Sequence, residues 1–227
     1  MDKALQSENR RSFLKGVSFF AIALPTGVFI NCVRPAQTQP AEETPKSRVG
    51  GYCEGCEAIY EGMPQQFNWQ TTLVPAEPGE PLEVSGVIRR PDGGTPASGV
   101  ILYFYHTDAK GLYSPAPNAT GLARRHGHLR GWIKTNAKGE YKINTIRPAS
   151  YPNRGIPAHV HMIVKEADKN EYYIDDVEFE DDPMLTQQER ARRRKGGGSG
   201  IIRLTKSGGI WLARRDITLG LNVQNYR

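Results

Sequence analysis

Cysteine is scarce, with three in 227 residues. That excludes a disulfide-dense scaffold and a zinc site built from cysteine alone. Long apolar runs are nearly absent as well. The one candidate, residues 17–30, is broken by Pro25 and falls short of the roughly 20 residues a spanning helix needs, so a polytopic membrane protein is excluded. Charge of one sign is not in large excess. The formal net charge is +6, and it falls to +4 without residues 1–31, which carry four basic and two acidic groups. That balance is too mild to point to nucleic acid. A hydrophobic fraction of 38% rules out disorder for most of the chain, and the composition rules out collagen and coiled coil. What remains is a chain with 24 Gly, 16 Pro and many short apolar runs. That pattern predicts one all-β domain, a β-sandwich of mainly antiparallel strands.

The first residues read as an address. Arg10 and Arg11, followed by Ser12-Phe13-Leu14-Lys15, resemble the signal for the bacterial twin-arginine pathway, which exports folded proteins. The apolar run 17–30 is then the signal's hydrophobic region. Cys32 follows directly, as at a lipoprotein cleavage site where cysteine is acylated, although Asn31 and Phe29 depart from the usual residues there. Residues 33–50 are rich in Pro, Gln, Thr and Glu, as a tether would be. The organisation expected is a signal peptide over 1–31, a tether over 32–50 and a folded domain over 51–227. The location expected is the bacterial cell envelope, with membrane contact through a lipid on Cys32. Export of a folded chain fits a cofactor installed beforehand, and directs attention to metal ligands.

Cys53 and Cys56 open the folded part. Two thiols cannot close a tetrahedral zinc site, no βαβ pattern surrounds them, and in an oxidising envelope they are expected to pair with each other. Strand-like runs follow at 82–90, 99–107, 131–135, 140–146, 158–166 and 171–179, with further short runs after residue 200. Asn136-Ala137-Lys138-Gly139 reads as the turn of a hairpin joining 131–135 to 140–146. In the second of these, Tyr141, Ile143 and Thr145 share one face. One short helix is expected near the C-terminus. Thr186 is its N-cap, Glu189 completes a capping box, and the helix runs through Arg190, Arg192, Arg193, Arg194 and Lys195 to stop at Gly196.

Of five histidines, His159 and His161 lie two apart in a strand-like run. Period two puts both imidazoles on one face, where they can grip one metal ion. His106 ends a strand and reads as structural. His126 and His128 lie among Arg124, Arg125 and Arg130 and read as a surface basic cluster in a loop, with lining of a substrate pocket as the alternative.

Tyr151-Pro152, a short loop, and then Pro157-Ala158-His159-Val160-His161 resemble the signature of intradiol ring-cleavage dioxygenases. The runs Pro96-Ala97-Ser98-Gly99-Val100, Asp108-Ala109-Lys110-Gly111-Leu112-Tyr113 and Gly139-Glu140-Tyr141 are similar to that family in the same order. The likeness covers about residues 80–183, and the CEGCEAIYEG block resembles an exported branch. It implies a β-sandwich in which Tyr113, Tyr151, His159 and His161 bind a non-haem Fe(III). Phenolates suit a hard trivalent cation, and imidazole suits iron. It also implies a small aromatic diol and O₂ as substrates and a cis,cis-muconate as product, with Tyr151 as the phenolate displaced by the diol.

Two positions depart from the family pattern. Ile156 stands where an arginine is usual, and Asp176 where a glutamine is usual in the next strand. Both are expected at the substrate. Arg154, Arg130 and Arg147 are candidates to replace the missing cation, with Arg154 nearest and Arg130 also expected to reach substrate. Two other readings compete. A lipid-anchored transthyretin-like or carboxypeptidase-regulatory-like binding module would share the Gly- and Pro-rich turns but not the tyrosine and histidine set. An iron-binding member with lost or altered cleavage would explain Ile156.

Overall fold

The computed structural model describes residues 48–227. Residues 1–47, with the expected signal peptide, Cys32 and most of the expected tether, lie outside them. The described chain forms twelve strands and one α-helix. They are β1 (Gln70–Thr72), β2 (Pro81–Arg89), β3 (Ile101–His106), β4 (Arg130–Lys134), β5 (Glu140–Ile146), β6 (His159–Lys165), β7 (Tyr172–Tyr173), β8 (Val177–Phe179), α1 (Gln187–Arg192), β9 (Ile201–Ile202), β10 (Thr205–Ser207), β11 (Ile210–Arg214) and β12 (Ile217–Thr218). No described helix is long and apolar enough to cross a membrane.

Two sheets face each other. The first runs β1-β5-β2-β11-β10, with β12 continuing along β2, and the second runs β4-β3-β6-β8-β9, with β7 beside β6. Antiparallel ladders predominate, as the sequence predicts. Parallel pairs occur where β1, β9, β11 and β12 join their neighbours. Strand β2 alternates in strict period two, burying Leu82, Val84, Gly86 and Ile88. In β5, Tyr141 and Ile143 are buried, while Thr145 is half-buried and bonds His106. These side chains meet Leu102 and Phe104 of β3 and Val160, Met162 and Val164 of β6 in the main core.

The hairpin expected across Asn136–Gly139 does not form. The turn itself is present, with Gly139 N donating to Asn136 O and Asn136 Oδ1 accepting from Lys138 N and Glu140 N. Its two strands part, however. β4 pairs with β3, and β5 pairs with β2 over seven residues. Each strand has an apolar face to bury, Ile133 on one and Ile143 on the other, and placing them in opposite sheets buries both in the one core.

Helix α1 starts as expected, with Thr186 Oγ1 accepting from Glu189 N at 3.2 Å. It ends at Arg192 rather than Lys195. Arg193 adopts extended backbone and turns inward to hold Glu178 by two bonds of 2.5 and 2.6 Å, a paired guanidinium–carboxylate contact that outweighs three more residues of helix.

The second sheet is buried on both faces, which explains why five of six residues of β3 are buried. Its outer face carries Tyr103, Tyr105 and Ile163, covered by Cys53, Cys56, Ala58 and Ile59. Polar contacts latch this cover. Arg48 and Tyr60 both donate to the buried Glu171, Trp132 Nε1 donates to Ile59 O, and the Glu61 carboxylate accepts from Leu122 N and Ala123 N. Cys53 and Cys56 are disulfide-bonded within the cover.

Candidate metal centre

His159 and His161 project from the outer face of β6, since residues 160, 162 and 164 take the inner one. Two loops bring the tyrosines to them. Residues 107–114 are folded around Asp108, whose carboxylate accepts from Lys110 N, Leu112 N and Ser114 Oγ. This loop is pinned to the chain before Tyr151, where Thr107 Oγ1 donates to Ala149 O at 2.7 Å and Ala149 N donates to Asp108 O. Gly111 permits the approach. It has φ +78°, and a Cβ there would lie 2.1 Å from Ser150 O.

The four groups converge. Tyr113 Oη lies 2.6 Å from Tyr151 Oη, and Tyr151 Oη lies 3.0 and 3.4 Å from Nε2 of His159 and His161. The two Nε2 atoms are 3.1 Å apart. Their tautomers follow from what stands behind them. His159 Nδ1 faces Pro157 O at 2.7 Å, and His161 Nδ1 faces Asp176 Oδ1 at 3.0 Å. Both partners only accept, so both Nδ1 atoms carry a proton, and a neutral ring so placed turns the lone pair of its Nε2 toward the point where Tyr151 Oη also lies. Two imidazole nitrogens 3.1 Å apart can share a proton or take up a metal ion in its place.

The ionisation states point the same way. Burial, then the hydrogen bond to Tyr151, pushes the Tyr113 phenol well above its ordinary value, and burial raises Tyr151 as well. Burial lowers the imidazole of His159 and keeps it neutral. Alone, these phenols stay protonated at neutral pH, whereas a bound cation would reverse the balance and draw out phenolates. Two imidazole nitrogens and two ionisable phenols suit a hard, oxygen-preferring metal. The residues present therefore fit a trivalent iron.

The centre opens into a cavity of about 970 Å³, also lined by Tyr105, His126, Arg154, Ile156, Tyr173 and Asp176. Ile156 faces this space with 37% exposure, and Arg154 is exposed beside it. Asp176 lines the wall but has a different part from the one expected, since its carboxylate is taken by His161. Burial opposes its charge, and the His161 contact holds it below the ordinary carboxylate range. Arg130 is turned away from the cavity. It donates to Glu61 O and Tyr103 Oη and lies over Trp132, so it belongs to the cover. Arg147 pairs with Asp181 against Phe179 and Trp211, also away from the centre. Among the three arginines considered from sequence, Arg154 alone lines the cavity.

His106 is structural, as expected. It is buried between Thr107 O and Thr145 Oγ1, and burial lowers it to about 4. His126 is not part of a surface cluster. It is buried in the cavity wall, bonded to Tyr103 Oη and stacked on Tyr105 at 3.7 Å, and Tyr105 in turn stacks on His161 at 4.4 Å. His128 donates to Ser114 O and pairs with Glu77, which fixes the Tyr113 loop from outside. Tyr105 and Tyr173, joined at 2.6 Å, were missed by sequence reasoning. The period of β3 placed Tyr105 opposite its core residues, but only the cover makes that face an interior.

With this arrangement in view, the likeness to known proteins is informative. Residues 59–196, more than half of the chain, match the sequence model of the family described as Dioxygenase. The chain belongs to this family, the intradiol ring-cleavage dioxygenases. It is 32% identical over 158 residues to catechol 1,2-dioxygenase 1 of Acinetobacter lwoffii, covering 63% of this chain and 48% of that protein. It is 30% identical over 102 residues to chlorocatechol 1,2-dioxygenase of Pseudomonas sp. strain P51, covering 38% and 39%. The chain thus spans half or less of these relatives' lengths. Among solved structures, hydroxyquinol 1,2-dioxygenase from Pseudomonas putida DLL-E4 shares the fold with a TM-score of 0.51 at 20% identity, covering 70% of this chain and 62% of that one. The dioxygenase domain of a carbohydrate-binding fusion protein from Streptomyces sp. SirexAA-E aligns with a TM-score of 0.50 at 24% identity, covering 69% and 91%.

Proposed function

We propose that this protein is an Fe(III)-dependent intradiol dioxygenase that cleaves a catechol-type ring with O₂ to a cis,cis-muconate. The observation that carries the reading is the convergence of Tyr113, Tyr151, His159 and His161, with the Nε2 atoms of the two imidazoles facing each other. These four residues would hold the ion. Its chemistry would be that of a Lewis acid, drawing electron density from the ionised diol so that a ring carbon reacts with O₂.

The chain's own residues do the rest. Tyr151 Oη, half-buried at the cavity and within reach of both imidazoles, takes a proton from a diol hydroxyl. Tyr113 stays hydrogen-bonded behind it, held by the Asp108 loop. Asp176 fixes the tautomer and tilt of His161. Ile156 offers an apolar contact to the ring, and Arg154 supplies positive charge at the cavity where the family pattern has an arginine at position 156. In the overall reaction the bond between the two hydroxylated carbons breaks, and both oxygen atoms of O₂ enter the two carboxylates.

The test is oxygen uptake and product absorbance with catechol and substituted catechols, using iron-loaded protein. The expected result is one O₂ consumed per diol with both atoms recovered in the product. Iron binding without turnover on any diol would favour the reading in which Ile156 marks lost cleavage. The export reading rests on Arg10, Arg11, the run 17–30 and Cys32. Cell fractionation is expected to find the protein in the envelope and mass spectrometry to find acylated Cys32, and replacing Arg10 and Arg11 by Lys should leave it in the cytoplasm. Envelope localisation unchanged by that replacement would contradict twin-arginine export.

A further inference from the structure

The cavity over the metal centre is larger than a ring with two hydroxyls requires. At about 970 Å³ it sits at the upper end of the roughly 300–1,000 Å³ of small-molecule sites. A second cavity of about 480 Å³ shares four wall residues with it, Tyr173, Ile174, Asp175 and Arg194. On its far side this cavity is walled by Tyr52, Val223 and Gln224, and Tyr52 is 89% exposed.

The charges along the wall of the larger cavity are matched except in two places. Glu54 pairs with Arg125 at 2.8 Å. Glu178 and Glu189 pair with Arg193, and Glu189 also with Arg192. Asp176 is taken by His161, and the two oxygens of Asp175 accept from Lys195 N and Gly196 N. Every acid of the wall is thus occupied. Arg154 and Arg194 alone among its five arginines make no side-chain ion pair or hydrogen bond within the described residues. Arg194 owes its place to the early end of α1, which turns Arg193 to Glu178 and sends the next residue along the partition between the cavities.

We propose that the two cavities form one cleft, and that the substrate is an aromatic diol whose ring bears an anionic side arm. The ring lies over the metal centre, the arm passes Tyr173 and Ile174, and its carboxylate is met by Arg194. A guanidinium that spends no donors on the protein is free to form a paired contact with a carboxylate. The exposed ring of Tyr52 gives a longer arm a surface to lie on. This assignment rests on the aromatic-diol reading above and names the class of diol.

The test measures binding, so that it does not depend on turnover. With oxygen excluded, iron-loaded full-length protein is titrated by calorimetry with 3-(3,4-dihydroxyphenyl)propanoate and with its methyl ester, with catechol as the reference ligand. The acid is expected to bind at least about tenfold more tightly than the ester in low salt. In Arg194→Gln the acid-to-ester ratio should fall close to one, and in Arg194→Lys it should fall only partly. The ratio is internally controlled, because a damaged fold weakens both ligands together. Catechol binding with equal affinities for acid and ester, or a ratio that survives Arg194→Gln, would overturn the side-arm assignment and leave the dioxygenase reading standing. Failure of catechol itself to bind would overturn both.

Discussion

The two faces of the second sheet come from the same strands and do opposite work. On β3 and β6, residues 102, 104, 160, 162 and 164 build an apolar core, while Tyr103, Tyr105, His159, His161 and Ile163 build a polar aromatic layer around the candidate metal centre. Both faces are buried, for different reasons. The inner face is covered by another sheet, the outer by a disulfide-closed segment near the start of the domain. The contrast teaches that one period-two pattern can supply stability on one side and chemistry on the other, provided something closes the second side.

Substitutions on the two faces should separate these tasks. The largest effect is expected on the outer face. His161→Gln should abolish iron retention and lower diol cleavage by more than about 100-fold, since even changes behind metal ligands cost 10–100-fold. Thermal unfolding should move little. Iron content and a melting curve on one preparation check both halves. On the inner face, Phe104→Ala should cost about 3–5 kcal/mol of stability, read by urea denaturation, because Phe104 is fully buried. The protein that remains folded should keep its iron. If Phe104→Ala lost iron before it lost stability, the separation of faces would fail.

Asp176→Asn tests the layer behind the ligands. An amide can still accept from His161 Nδ1 but carries no charge, and metal affinity should drop about 10–100-fold. Competition with a chelator measures it.

The last effect is one of pH. Burial lowers His106 to about 4, from an unfolded value near 6.5. Between those values the unfolded chain binds more protons, so the contribution is present in full above pH 6.5 and is lost as pH falls toward 4. At pH 5 this group alone should cost about 2 kcal/mol, and His106→Gln should flatten that part of the stability–pH curve.

Much of this was legible in the residues. The shared face of Tyr141, Ile143 and Thr145 and the spacing of His159 and His161 pointed to a strand and to two imidazoles on one face, because period two is a local property. The Tyr113 and Tyr151 loops were legible by family likeness, not by pattern. What was not legible depends on distant contacts. The turn after Asn136 looks the same whether its strands pair or part, and the choice is made by β2 and β3. The end of α1 is set by Glu178, which lies before it in the chain and on another element. Arg130 reads as a cation near the site, and only the carbonyl of Glu61 shows that it serves the cover. His126 reads from sequence as surface or as pocket lining, and its stacking on Tyr105 in the cavity wall decides for the pocket.

The central claim is that the facing imidazoles and paired phenols form a ferric centre. The most direct measurement is metal content together with the visible spectrum of purified full-length protein, before and after adding catechol. The account predicts about one iron per chain and a red-brown tyrosinate-to-Fe(III) band that shifts when catechol docks and disappears in Tyr113→Phe/Tyr151→Phe. A colourless protein that takes up no iron on reconstitution would contradict it.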